Sequence, residues 1–254
     1  MTVKIDLLIK NGIIYDGTGG EPFEADIGVA GEEIAFIKKL SAISYRLSAI
    51  KAERTIDAKG LAVTPGFIDT HAHSDFTLLA DPRAEGKISQ GVTTEINGNC
   101  GLSAAPLYND AFEHREKDLK ELGIKERWST FEEYFRILKR RSIALNFVTL
   151  TGHGNIRASV IGYKDKKPDA KDLKKMQVLL RQALDAGAIG LSTGLIYPPG
   201  IYSDTEELIE LCRVLNSSLV TRHSSLIYTS HMRSEGKGLI ESIKEIIRIG
   251  KEAK

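Results

Sequence analysis

This chain has little cysteine, no surplus of either charge and no long apolar run. Two cysteines, Cys100 and Cys212, make no disulfide framework, so a reducing cytoplasm is the expected setting. Its 35 basic and 34 acidic side chains leave a formal net charge of +1. No excess of positive charge is present to release counterions, which argues against a nucleic-acid or polyanion binder. No stretch reaches the ~18 apolar residues of a membrane span. Charges interrupt the N-terminal MTVKIDLLIKNG, so it lacks the ~7–15 continuous apolar residues of a secretory signal. What is present is globular: 42% apolar and 27% charged residues, a balance that excludes disorder and fibrous repeats.

Residues up to about 60 read as β structure. The segment Asp6–Tyr15 holds two short apolar runs split by Asn11-Gly12, a strong hairpin signal. Ala25–Gly31 and Glu33–Ile37 repeat the pattern around Gly31, and together these runs fit a small antiparallel sheet. Beyond residue 61 strand-like and helix-like stretches alternate. The strand candidates are Phe67–His71, Val92–Ile96, Asn146–Leu150, Ala188–Ser192 and Leu226–Ser230. Helical stretches are expected at 130–140, 170–186, 205–215 and 239–252. In the second of these Leu173, Met176, Leu179, Leu180, Ala183 and Leu184 recur at helical spacing. Such alternation implies βα units around a parallel sheet. A closed eight-stranded barrel has typically ~250 residues, so residues 61–254 fit either an open five-stranded sheet or part of a larger barrel. Two short duplications, Leu40–Ile43 repeated at Leu47–Ile50 and Ser217–His223 echoed at Ser224–His231, read as loop extensions.

The strongest chemical signal is Pro65-Gly-Phe-Ile-Asp-Thr-His-Ala-His-Ser-Asp75. His71 and His73 are two apart, so on a strand they project to one face, at the C-terminal end where barrel enzymes place their chemistry. Neutral imidazole suits zinc; two surface histidines near a turn is the plainer reading. Asp69 or Asp75 is placed to orient an imidazole from behind. Asn97-Gly-Asn-Cys-Gly101 follows the second strand, with glycines that permit a sharp turn. Cys100 there is either a ligand to the same metal or a small buried hydrophobe. Cys212 sits in the apolar stripe Leu208, Leu211, Cys212, Leu215 and reads as inert core. Ser230-His-Met-Arg-Ser-Glu235 closes the fifth strand. Its His231 is a further candidate ligand, and Arg233 on the same face is a candidate for substrate binding. Gly190–Gly200 carries a Pro-Pro turn and presents Tyr197. His153 ends the third strand and is a candidate to line the pocket. His114 reads as solvated, and His223 is given no role.

At these residues the sequence resembles the amidohydrolase superfamily. The motifs Asn-Gly-Asn-Cys-Gly, Gly-Leu-Ser-Thr-Gly-Leu-Ile-Tyr-Pro-Pro-Gly and Ser-His-Met-Arg-Ser-Glu narrow this to the D-aminoacylase, or N-acyl-D-amino-acid deacylase, family, over nearly the whole chain. The resemblance implies an α/β fold: an incomplete metallo-dependent-hydrolase (β/α)₈ barrel of about five βα units in residues 62–254. Residues 1–61 would form part of a small β-sandwich. It also implies zinc, and hydrolysis of the N-acyl amide of D-amino acids by metal-activated water. Carried over by position, His71, His73, Cys100 and His231 match metal ligands, and Tyr197 matches a tyrosine near the substrate. The family's last metal histidine and its catalytic aspartate have no counterpart before Lys254, so no catalytic residue is assigned. The isolated chain is expected to be inactive. A truncated or frameshifted product, or one half of a split enzyme, are the forms considered. The expected partners are a small N-acyl-D-amino acid and, through an open sheet edge, a second copy or a complementing C-terminal chain, with no nucleic acid or membrane. The alternatives are a non-catalytic metal-binding fragment and a hydantoinase- or dihydroorotase-like amidohydrolase. The latter usually employs a carboxylated lysine on strand four, and Ala188–Gly194 contains no lysine. The five strands are expected to lie parallel and in order, with His71, His73, Cys100 and His231 converging at one rim.

Overall fold

The first strand, β1 (Ile5–Ile14), buries Ile5, Leu8 and Ile14 and is the strand on which the N-terminal sheet is built. The computed structural model describes residues 4–39, 50–216 and 226–254. Both duplicated stretches, and His223, fall largely or wholly outside these residues. The chain divides into two compact units, Met1–Gly66 and Phe67–Lys254.

In the first unit β1 pairs antiparallel with β2 (Phe23–Ala30), and β2 with β3 (Glu33–Lys39). Two further strands, β4 (Ala52–Asp57) and β5 (Ala62–Val63), pair with β1 in parallel. The sheet is therefore mixed rather than antiparallel. The hairpin expected at Asn11-Gly12 does not form, and β1 runs straight through it. Asn11 takes a left-handed φ of 59° at a break in register. Its backbone N–H donates to Asp26 Oδ1 at 2.8 Å and its side-chain amide donates to Asp57 Oδ1 at 2.9 Å. Those two bonds turn a turn-forming residue into a bulge. Because Ala62–Val63 completes this sheet, the first unit extends past residue 61.

In the second unit β6 (Phe67–Asp69), β7 (Val92–Asn97) and β8 (Asn146–Thr149) form one parallel ladder. A second parallel ladder joins β9 (Thr151–Gly152), β10 (Gly190–Gly194) and β11 (Ile227–His231). Leu150 links β8 to β9. Its N–H donates to Asn97 O at 2.9 Å, while Ile189 N–H donates to Thr149 O at 2.9 Å. All five expected strand positions thus appear, parallel and in chain order.

Helices α1 (Thr77–Ala80), α2 (Glu85–Ile88), α3 (Asn109–Glu121), α4 (Phe131–Arg141), α5 (His153–Ile161), α6 (Ala170–Ala186), α7 (Thr205–Leu215) and α8 (Leu239–Glu252) lie between and after these strands. Local chemistry starts three of them. Thr130 and Glu133 form a capping box on α4, and Asp169 and Asp204 cap α6 and α7. The stripe of α6 packs Met176, Leu180 and Leu184 against Leu191, Leu208 and Leu211. Cys212 lies in that same core, where burial pushes its thiol up to about 12. A second core gathers Trp128, Phe131 and Tyr134 with Leu107 and Leu119.

Two helices escape the periodicity for opposite reasons. Nearly every residue of α5 is buried, so HGNIRASVI has no polar face to mark its period. In α3 only Ala111 and Leu119 are buried among charged neighbours. Within α5 lies a buried ionic group. His153 Nε2 is 2.8 Å from Glu207 Oε1, and Arg157 Nη1 donates to Glu207 Oε2 at 2.5 Å. His153 is thus spent on the α5–α7 contact and does not line the rim cavity described below.

Burial alone would raise the Glu207 carboxyl, but the hydrogen bond and charge of His153, with Arg157, outweigh it and leave it below its ordinary 4.5. A depressed carboxyl stabilises the fold above its unfolded pKa and loses that contribution as pH falls through the folded value. Glu207→Gln should therefore flatten the fall of the melting temperature below about pH 4.5. Arg157→Met should cost about 3–5 kcal/mol at neutral pH by stranding a buried carboxylate. Thermal melts across pH check the first and chemical denaturation at neutral pH the second. Unchanged acid sensitivity in Glu207→Gln would show that the group is not the acid trigger.

Candidate metal centre

The parallel ladder delivers two chain segments to one place. Beyond β6, Ala72 N–H donates to Ile96 O at 3.0 Å, which carries the extended register past Asp69. His71 and His73 then fall on the same side, with ring centroids 5.2 Å apart. Asp69 accepts the His71 backbone N–H at 3.0 Å and pairs with Lys87 at 2.5 Å. Asp75 is buried and bonds to backbone N–H groups, including that of Ala104 at 3.1 Å. Both carboxylates thus hold backbone, and neither bonds an imidazole. Burial pushes Asp75 up to about 6 despite those amides.

After β7 the chain reverses through Gly98, Asn99, Cys100 and Gly101. Three of the four are left-handed: φ is +71° at Gly98, +55° at Cys100 and +74° at Gly101. A Cβ on Gly98 would lie 2.0 Å from Leu150 O, and one on Gly101 would lie 2.6 Å from Gly194 N. Only glycine fits either place. Cys100 bears a left-handed cost of about 1–2 kcal/mol, and its neighbours hold it there. The Ser192 hydroxyl accepts Gly101 N–H at 3.0 Å and donates to Gly98 O at 2.5 Å. Tyr197 OH donates to the Cys100 carbonyl.

This turn brings Cys100 Sγ to 3.2 Å from His71 Nε2. One donor atom from each of His71, His73 and Cys100 lies within 4.8 Å of the other two. Around a tetrahedral zinc, with bonds of about 2.0–2.3 Å, ligand atoms stand about 3.5 Å apart. The N₂S donor set and its spacing therefore fit such an ion. Burial, with the positive charge of Arg115 nearby, lowers the His73 pKa and favours its neutral imidazole. Burial raises the Cys100 thiol, only partly offset by Tyr197.

The other expected residues divide. His231 ends β11 and shares with His73 and Cys100 a cavity of about 430 Å³, but it stands outside the three-residue cluster. Its Nε2 is 3.4 Å from Glu235 Oε1, and its ring centroid is 5.7 Å from that of Tyr197. Tyr197 lines the same cavity. Arg233 does not. It donates to Glu245 Oε2 and Oε1 at 3.0 and 2.9 Å, and to the carbonyls of Ile201 and Ser203 at 3.0 Å each. That guanidinium ties α8 to the loop after β10. His114 is exposed and packs on Tyr163.

Sequence reasoning missed Arg115, which lines the cavity from α3. Its stretch reads as a solvated charged surface. The available signal was spacing: Arg115 falls midway between the buried Ala111 and Leu119, four residues from each. A larger cavity of about 550 Å³ between α4 and α6 offers only Glu132 and Asp185 as charged groups, with no imidazole or thiol.

Comparison with known proteins identifies the family. The Amidohydrolase family model matches residues 54–231. The chain is 39% identical over 247 residues to a D-aminoacylase of Alcaligenes xylosoxydans xylosoxydans, covering 97% of this chain and 48% of that protein. It is 37% identical to an N-acyl-D-glutamate deacylase of the same organism, covering 99% and 48%. Among solved structures, the N-acyl-D-glutamate deacylase of Bordetella bronchiseptica, complexed with zinc and a phosphonate mimic of the tetrahedral intermediate, aligns with a TM-score of 0.83. It is 35% identical and covers 98% of this chain and 50% of that one. The chain spans about half the length of the curated relatives it matches. With strand order, donor cluster and family match in agreement, the chain belongs to the amidohydrolase family.

Proposed function

We propose that this protein serves in hydrolysis of the N-acyl amide bond of D-amino acids, with zinc held by His71, His73 and Cys100 and the donor set completed by His231. The observation that carries the reading is the convergence of two imidazoles and a thiol at neighbouring strand ends. The relatives support the substrate class: they are a D-aminoacylase and an N-acyl-D-glutamate deacylase, the latter solved with zinc in the Bordetella enzyme. When bound, zinc supplies Lewis acidity toward an amide carbonyl and toward water.

The chain's own residues have definite tasks in this reading. Cys100 releases its proton on ligation, since thiolate is the binding form. Burial lowers the His73 pKa, which favours the neutral form of its imidazole that ligates. Ser192 and Tyr197 keep the Cys100 turn from relaxing. Tyr197 and the wall around it shape the space for the acyl-amino acid, and Arg233 acts by fixing α8 against the rim loop. We assign the second unit, Phe67–Lys254, to the first five βα units of a larger barrel and the first unit, up to Gly66, to a β-sandwich portion. A cytoplasmic setting accords with the two unpaired cysteines. The outermost strands β6 and β11, and the exposed Ile240, Ile243 and Ile247 of α8, favour contact with more protein, as a second copy or a complementing chain.

Cys100→Ala should weaken zinc binding by at least ~100-fold, beyond the ~10–100-fold typical of losing an outer partner, while Cys212→Ala leaves it unchanged. Competition with a chromophoric chelator reads both. Equal affinity in the two variants would remove Cys100 from the site. Protein isolated from its native source, with whatever chain accompanies it, should hydrolyse N-acetyl-D-amino acids and spare their L-enantiomers. Chelation should abolish that turnover and zinc should restore it. Zinc retention without any such hydrolysis would refute the deacylase reading and leave the metal site standing.

A further inference from the structure

Arg115 differs from the other arginines that the fold encloses. Arg157 and Arg233 each direct their guanidinium to a carboxylate and backbone carbonyls, although Arg157 Nε stays buried without a partner among the described residues. The Arg115 side chain is only 15% exposed, yet among the described residues its one hydrogen bond runs from Nη1 to Asp118 Oδ2 at 2.8 Å. Nε and Nη2 donate to no described group. The guanidinium carbon sits 5.4 Å from the centroid of the Phe76 ring, and both side chains line the cavity that holds His73, Cys100, Tyr197 and His231.

Nε and Nη2 are not among the buried polar atoms that lack a partner, and a guanidinium with free donors in a cavity wall can take up an anion there. Its planar fork matches a carboxylate through two parallel bonds. The acid already in the cavity wall, Asp75, is occupied by backbone amides. Asp118, the existing partner, lies on the same helix three residues on and is itself 41% exposed, so it leaves the cavity side of the fork open. No other described acid reaches this fork, so an anion meeting it from the cavity side would be a ligand.

We propose that Arg115 binds a carboxylate of the substrate and thereby restricts this site to N-acyl amino acids that carry a free carboxylate within reach of the donor cluster. This rests on the deacylase reading and deepens it by naming a binding residue. The carboxylate is either the α-carboxylate common to all such substrates or a second one on an acidic side chain, and the experiment separates the two.

The 254-residue chain, with and without one equivalent of zinc, is titrated with N-acetyl-D-glutamate, N-acetyl-D-leucine and N-acetyl-D-leucinamide, and binding is followed by NMR. In wild type the Nε–H resonance of Arg115 should shift with the carboxylate ligands and stay in place with the amide, a readout that requires no variant. Arg115→Met should weaken the carboxylate ligands by roughly tenfold to a hundredfold, the loss expected for hydrogen bonds to a charged group, and leave the amide unaffected. Arg115→Lys, which keeps the charge without the fork, should recover part of the loss. Equal weakening of glutamate and leucine derivatives assigns Arg115 to the α-carboxylate; weakening of the glutamate derivative alone assigns it to the side chain. Loss of the amide to the same extent, or an unmoved Arg115 resonance at saturation, or no binding of any of the three, overturns the proposal. Failure of the metal reading shows separately, as absence of zinc from the zinc-treated chain.

Discussion

Everything at the rim depends on one left-handed turn. Cys100 reaches His71 because the chain after β7 passes through three residues of positive φ in four. An ordinary continuation of the strand would carry the thiol past the imidazoles. The turn is tight enough that Gly98 touches the Leu150 carbonyl and Gly101 touches β10. The donor cluster is therefore coupled to the parallel ladder itself: β8 and β10 form the walls against which the turn is pressed. One hydroxyl, that of Ser192, spans the turn by accepting from Gly101 and donating to Gly98. Because Ser192 sits on β10, strand pairing and donor placement are one constraint.

The same logic runs around the cavity. Charged groups in the second unit are buried only where a partner meets them. Glu95 has no exposure and faces Lys87 at 3.1 Å, which also holds Asp69 just ahead of His71. Glu207 is shared between His153 and Arg157, fastening α5 to α7. The start of α5 in turn grips the Cys100 loop: Gly154 N–H donates to Gly101 O at 2.9 Å, and Asn155 and Ser103 exchange hydrogen bonds. A partly desolvated thiol and an imidazole whose pKa burial lowers are the result, and the sulfur gives up its proton when an ion binds.

Much of this was legible because strand-end chemistry leaves short, dense motifs. The spacing of His71 and His73 and the glycines around Cys100 marked a strand-end site, the place of all three among metal donors came from the family resemblance, and the strand order came from the alternation of apolar runs. What escaped did so for physical reasons. Asn11-Gly12 carries hairpin chemistry, but Asp26 and Asp57 satisfy Asn11 within a bulge, and no local window contains those partners. Helix α5 is buried on all sides, so it has no period to detect. The distance from His231 to the cluster is a tertiary property, set by how β11 closes on β10. A motif shows that His231 lies at the rim, not how near it stands to the other donors.

Two arginines show where motif reading ends. Arg233 sits in a conspicuous motif, two residues from a candidate ligand, and the fold spends it on Glu245 and two loop carbonyls. Arg115 sits in an unremarkable charged run, and the fold leaves its Nε and Nη2 unspent beside the donors. Sequence proximity to a ligand predicts nothing about which guanidinium is free, because that depends on whether a carboxylate from another element reaches it first. Glu245 of α8 reaches Arg233; only the partly exposed Asp118 of its own helix reaches Arg115. In that cavity wall the Asp75 carboxylate is already occupied by backbone amides, so among the described lining residues Arg115 is the guanidinium left with open donors.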